Sequence, residues 1–216
     1  MPLKVVPRRD RKLHRLVKKG ETRSLKRGEA LFQAGEAGDL LFLVRTGHLR
    51  LTDQHGRENE RVVAVAGPWE LTGEEGLFPG VVRKTGARAG EATQITLLDG
   101  AGVVRALRTG SKTYGAYLLA KEEELALARS LGGPRRAGAT SAHVGALLLH
   151  LSARLGRTEE KRGTRIPIRL THQVLADLSG CNRSTVTTLL NDWIYDGVLQ
   201  QREGQLLILR PQVLGR

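Results

Sequence analysis

The sequence predicts an α+β protein in three parts: a glycine-punctuated all-β unit, a long helix, and a small helical unit closed by a β-hairpin. Three observations predict it. Short apolar runs separated by glycine recur at roughly ten-residue spacing between Leu25 and Leu107. Proline-free helical periodicity replaces them over residues 114–131, where Tyr114, Tyr117, Leu118, Leu125, Ala128 and Leu131 recur at threes, fours and sevens. Residues 171–195 then carry two short amphipathic helices around a glycine turn, ahead of an apolar hairpin pattern.

Taken in order, residues 1–24 form a basic arm with a short helix, its apolar side made by Leu13, Leu16 and Val17. Residues 25–110 form the β unit, a sandwich, roll or barrel. Its strands are read at Ala30-Leu31-Phe32, Leu40-Leu41-Phe42-Leu43-Val44, Leu49-Arg50-Leu51, Val62-Val63-Ala64-Val65 and Ile95-Thr96-Leu97-Leu98. Residues 111–133 hold the long helix and a hinge at Gly132-Gly133-Pro134, since proline cannot continue a helix and glycine favours its terminating conformation. In residues 134–216 a helix spans 141–155 with Val144, Leu147, Leu148, Leu151 and Leu155 on one face, and 156–163 is a polar loop. Arg165-Ile166-Pro167-Ile168-Arg169-Leu170 reads as an edge strand, because Pro167 lacks a ladder donor.

The composition bounds the function. The chain has 216 residues, 40% hydrophobic and 26% charged, enough for one large or two small folded domains and unlike a disordered protein. No apolar run approaches the ~18 residues of a membrane span, and no apolar core follows the basic N-terminus. A protein neither secreted nor inserted, in a reducing cytoplasm, is expected. Cys181, the single cysteine, can form no internal disulfide and cannot alone hold zinc or an iron–sulfur cluster. Of the net charge of +13, residues 1–27 supply eleven Lys/Arg against two acids, residues 28–136 balance at fourteen of each, and residues 137–216 carry ten against six. Basic ends around a neutral middle point to a polyanion, and nucleic acid is the commonest.

Thr171 to Tyr195 carries the function. Thr171 is an N-cap, Gly180 permits the left-handed conformation of a tight turn, and a second helix begins at Arg183. Leu175, Ala176 and Leu178 face inward against Val186, Leu189 and Leu190, with Cys181 buried in the turn. Ala176 suits a steep crossing where little more than a methyl group fits. This is a helix-turn-helix. Val198-Leu199-Gln200-Gln201, turning at Glu203-Gly204, pairs with Leu206-Leu207-Ile208-Leu209 as a wing, with Arg202 placed for phosphate. Arg183 is the candidate guanine reader, Asn182, Ser184, Thr185, Thr187 and Thr188 are candidates beside it, and His172 and Gln173 are candidates for backbone contacts at the first helix's N-terminus.

Residues 26–216, nearly nine-tenths of the chain, resemble the family of the cyclic-AMP receptor protein and the fumarate–nitrate regulator (CRP/FNR). Lys26-Arg27-Gly28-Glu29, Gly35-Glu36-Ala37-Gly38-Asp39, Leu43-Val44 and Thr46-Gly47-His48-Leu49 carry it in one half; Cys181-Asn182-Arg183-Ser184-Thr185-Val186 and Asp196-Gly197-Val198-Leu199 carry it in the other. The resemblance implies a β-roll of the cyclic-nucleotide-binding type (a double-stranded jelly roll), a dimerisation helix and a winged helix-turn-helix. It also implies a homodimer on an inverted-repeat promoter site in double-stranded DNA, with RNA polymerase as partner.

The departures from the family pattern matter. Fumarate-type members hold an iron–sulfur cluster with several cysteines, and this chain has one, in the other domain. Carbon monoxide sensors bind haem; the roll histidines here, His48 and His55, are assigned to strand or turn surfaces. The cyclic-AMP branch has glutamate and a second arginine where Ser184 and Thr188 stand, so the half-site need not match. Gly73-Glu74-Glu75-Gly76-Leu77-Phe78 resembles the family's phosphate-cassette opening, whose glutamate accepts from a ribose hydroxyl. The arginine that should neutralise the cyclic phosphate falls within Arg83-Lys84-Thr85: Lys84 at unchanged loop length, Arg83 with a one-residue slip. A point charge is not a bidentate fork, so an effector-independent regulator and a small-molecule-gated one both stand, with a cyclic-nucleotide-responsive regulator of the receptor type as the alternative.

Two other classes compete. An enzyme with a regulatory roll would need a catalytic constellation, and the chain has no phosphate-loop lysine motif, no Gly-x-Ser-x-Gly and no paired histidine ligands at metal-binding helical spacing; His172 falls on a different element from His143 and His150. A module with a degenerate DNA reader conflicts with the polar face of Arg183, Ser184, Thr187 and Thr188.

Overall fold

The computed structural model describes residues 17–55, 59–78, 80–108, 139–159 and 163–214. The chain divides into two compact units, one reaching Lys121 and one starting at Glu122. Most of the basic arm, the helix expected over 114–131 and the Gly132-Gly133-Pro134 hinge lie outside the described residues.

The N-terminal unit is built from two four-stranded antiparallel sheets. Its strands are β1 (Thr22–Leu25), β2 (Ala30–Phe32), β3 (Leu40–Thr46), β4 (Leu49–His55), β5 (Asn59–Ala66), β6 (Leu71–Thr72), β7 (Gly86–Ala89) and β8 (Thr93–Asp99). One sheet runs β1-β8-β3-β6 and the other β2-β7-β4-β5. Leu25, Phe32, Phe42, Val44, Leu49, Ala66, Ala87, Ala89 and Ile95, drawn from both sheets, make the core between them. The alternate side of β3 is buried as well: Leu41 and Leu43 pack with Val17, Leu98 and Val103, the last from helix α1 (Gly100–Arg108). Burial on both faces explains why β3 reads as an unbroken apolar run while β4 alternates.

The expected strands are present, and the structure adds β1, β6, β7 and α1. Strand β7, Gly-Ala-Arg-Ala, escapes notice because its inward residues, Ala87 and Ala89, are small yet fully buried. Gly67-Pro68-Trp69-Glu70 closes as a turn, with Glu70 N–H donating to the Gly67 carbonyl at 3.1 Å. Trp69 takes φ 71°, an uncommon conformation for a bulky residue. Arg45 stacks over the indole at 4.7 Å from its centroid, and Trp69 N–H donates to the Val44 carbonyl at 2.7 Å.

The C-terminal unit begins with α2 (Ala139–Leu155), whose Val144, Leu147, Leu148, Leu151 and Leu155 are all buried as the spacing predicts. Strands β9 (Arg157–Glu159), β10 (Gly163–Ile166), β11 (Leu199–Arg202) and β12 (Gln205–Ile208) form one sheet in the order β11-β12-β10-β9. Between them come α3 (His172–Ser179) and α4 (Arg183–Tyr195), and α5 (Pro211–Leu214) follows. Two expectations need correction. Part of the polar loop is β9, and β10 is an inner strand that stops at Ile166, with Pro167 just outside the ladder where its missing donor costs nothing.

Candidate DNA interface and roll cassette

Helix α3 starts at Thr171 because that residue is extended (φ −78°, ψ 156°) and its hydroxyl accepts from Val174 N–H at 3.2 Å. It stops at Gly180, which turns left-handed (φ 62°, ψ 26°), a conformation glycine adopts without a Cβ penalty. Cys181 N–H donates to the Ala176 carbonyl at 3.0 Å, and α4 begins two residues on. The buried faces of the pair are Val174, Leu175, Ala176 and Ser179 against Val186, Leu190 and Trp193. Ser179 is buried without an orphaned hydroxyl because it donates to the Leu175 carbonyl at 2.7 Å. Leu178, Leu189 and Cys181, expected inside, are half-buried at the margins of this contact; Val174, Ser179 and Trp193 hold the inner positions.

The opposite face of α4 is open. Arg183, Ser184, Thr185, Thr188, Asn191 and Tyr195 are exposed, and Ser184, Thr188, Asn191 and Tyr195 lie in one stripe by helical spacing. Sequence reading missed Asn191, although its offset of three from Thr188 and seven from Ser184 would have found it. Thr187 and Thr188 donate to the Arg183 and Ser184 carbonyls at 2.9 and 3.2 Å. The Thr188 hydroxyl hydrogen is thus spent within the helix, leaving an acceptor oxygen and a methyl group for a partner. His172 Nδ1 stands 2.9 Å from Thr187 Oγ1, so the two side chains share a hydrogen bond. Gln173 Nε2 donates to Asp177 Oδ1 at 2.8 Å. Asn182 is exposed at the N-cap without a side-chain cap bond.

The wing turns at Glu203 (φ 51°) and Gly204 (φ 78°), the paired left-handed conformation that suits a two-residue hairpin. Arg202 is exposed at the end of β11, opposite Gln205. Arg183 and Arg202 thus stand exposed on two different elements of the C-terminal unit.

In the roll, a single 3-10 turn over Glu74–Leu77 starts from Gly73 and opens the cassette. The loop that follows brings Arg83 inside and leaves Lys84 exposed. Arg83 is 3% exposed. Its Nη1 donates to the Gly73 carbonyl at 2.7 Å and its Nη2 to the Leu40 carbonyl at 2.6 Å. The guanidinium carbon lies 4.7 Å from the Phe32 ring centroid and 5.4 Å from that of Phe42. Glu75 Oε2 sits 3.6 Å from Nη1, while Oε1 accepts from the Lys84 backbone N–H at 3.2 Å. Glu75 is therefore the carboxylate beside the arginine. Glu74 and Thr85 are half-buried in the same cassette.

A cyclic phosphate asks for an arginine fork turned toward it. Here the fork is turned onto two protein carbonyls with ring faces against it. Arg83 as placed does not fit that ligand.

His48, expected on a surface, is fully buried: its Nδ1 lies 2.9 Å from Glu91 Oε1, and its ring fills the space left by Gly90, where a Cβ would overlap Nε2. The side chain of His55 lies outside the described residues.

The cyclic nucleotide-binding domain family matches residues 22–109, and the Crp-like helix-turn-helix domain family matches residues 142–216. Among curated proteins, a cyclic AMP receptor protein of Thermus thermophilus is 30% identical over 190 residues, 87% of this chain and 83% of the relative. A CRP-like cAMP-activated global transcriptional regulator of Mycobacterium tuberculosis is 28% identical over 204 residues, 88% of this chain and 84% of its own. Among solved structures, FixK2 from Bradyrhizobium japonicum matches with a TM-score of 0.72 at 18% identity, over 90% of this chain and 95% of that one. The likeness to FixK2 is one of fold. With both halves matched in order and the helix-turn-helix in place, the chain belongs to the CRP/FNR family and is a DNA-binding transcription regulator.

Proposed function

We propose that the protein acts as a homodimer on an inverted-repeat promoter site, reading bases through the exposed face of α4 and holding phosphates through the wing. The observation that carries this reading is the set of outward side chains on that face. Arg183 and Ser184 are exposed at the helix start, Thr188 offers an acceptor oxygen and a methyl group, and half-buried Thr187 stands beside them. Arginine on guanine O6/N7 is the commonest specific pairing, and a threonine methyl suits the thymine methyl. Asn182, Thr185, His172, Gln173 and Arg202 flank this face as phosphate or backbone contacts. RNA polymerase is the protein partner at the promoter, and the compartment is the cytoplasm.

Two recognition helices related by a two-fold axis reach successive major grooves about 34 Å apart. Sedimentation at micromolar concentration, with and without a palindromic duplex, tests this reading. A dimer that binds one duplex is expected; a monomer binding the palindrome tightly would contradict it. Arg202→Ala is expected to weaken binding equally on all sequences and to flatten the slope of log K against log salt by about 1 per protomer. Anisotropy titrations across a salt series read both effects.

A second reading, a cyclic-nucleotide-responsive regulator, is favoured by the family match over residues 22–109 and by Gly73, Glu74 and Arg83 sharing one cassette. The first reading is preferred because the Arg83 fork is already engaged.

A further inference from the structure

Arg83 sits in a fitted slot. A Cβ on Gly38 would overlap its Nη2 and come within 2.6 Å of Nε, and one on Gly73 would come within 2.8 Å of Nη1. Two glycines from different segments thus clear the space the guanidinium occupies, while Phe32 and Phe42, themselves stacked 5.4 Å apart, back it. The backbone of Arg83 is fixed too: its N–H donates to the Glu36 carbonyl and its carbonyl accepts from Gly35 N–H, both at 2.8 Å. Together these contacts join the cassette at Gly73 and Glu75, the start of β3 at Leu40, the end of β2 at Phe32 and the 35–38 turn.

We propose that Arg83 is a built-in ligand of the roll: its guanidinium latches the cassette to β2 and β3, so that the roll is closed without a cyclic nucleotide and DNA binding does not depend on one. A buried cation is tolerable only when its donors and faces are met, and here two carbonyls, one carboxylate and two rings meet them. A cyclic phosphate could reach this arginine only by taking its place among those partners. Lys84, exposed beside it, presents one point charge and no fork.

This inference deepens the effector-independent reading and rests on it. The test uses thermal unfolding of the full chain together with its DNA affinity, each with and without millimolar cyclic AMP or cyclic GMP. The latch predicts an unchanged Tm, DNA affinity constant within twofold, and a Tm loss of about 4 °C or more in Arg83→Ala. Arg83→Lys, which keeps the charge and loses the fork, should recover only part of that loss. Gly38→Ala, which keeps the arginine and narrows its slot, should lower Tm as well. A nucleotide-dependent rise in Tm and a tenfold gain in DNA affinity, both lost in Arg83→Ala, would overturn the proposal and make Arg83 a phosphate ligand. An Arg83→Ala protein as stable as the wild type would overturn it from the other side. Should the chain fail to bind DNA at all, the dimeric DNA-reading proposal fails while the Tm measurements still decide the latch.

Discussion

Arg183→Ala is expected to lower affinity for the specific site by about 1–3 kcal/mol and to leave affinity for random DNA nearly unchanged. The side chain stands exposed at the first position of α4, and among the described residues no partner takes up its guanidinium donors. Its backbone carbonyl accepts from the Thr187 hydroxyl at 2.9 Å. Removing it therefore costs the fold little and the readout a bidentate contact. The loss should concentrate at one base pair of each half-site, so titrations against a panel of single-substituted duplexes give the check. Equal weakening on specific and random DNA would demote Arg183 to a phosphate contact.

Leu190→Ala is expected to behave differently, destabilising the C-terminal unit by about 2–5 kcal/mol. Leu190 is 1% exposed on the inner face of α4, beside Val186 and Trp193 and against the short helix α3. A helix of eight residues holds little stability of its own and depends on this contact. The variant should lose specific and random DNA binding together, on warming, with a lowered denaturation midpoint. Arg183→Ala should leave that midpoint in place. The pair of variants separates loss of reading from loss of the reader.

The helix-turn-helix was legible because its constraints are local. Thr171, Ala176, Gly180 and Val186 each answer a requirement of capping, crossing or turning within sixteen residues. The strands bounded by apolar runs were legible for the same reason. The cassette was not, because what decides between Arg83 and Lys84 is a set of partners at Phe32, Gly38, Leu40, Phe42 and Gly73, distant in sequence and joined by the sheets. His48 was misplaced on similar grounds. It looks like a turn residue beside Gly47, but the hole it fills is made by Gly90, forty-two residues on. Strand β7 was missed because its burial rests on two alanines, whose inward placement is set by β2 and β4 on either side.

The central claim, base reading by α4 in a two-fold symmetric dimer, meets its most direct test in selection from a pool of random duplexes with the full chain, without nucleotide, followed by sequencing. The account predicts enrichment of one inverted repeat whose half-site centres lie about 34 Å apart, with a guanine preference that Arg183→Ala erases. Enrichment of an unsymmetrical motif, or of none, or a motif unchanged by Arg183→Ala, would contradict it.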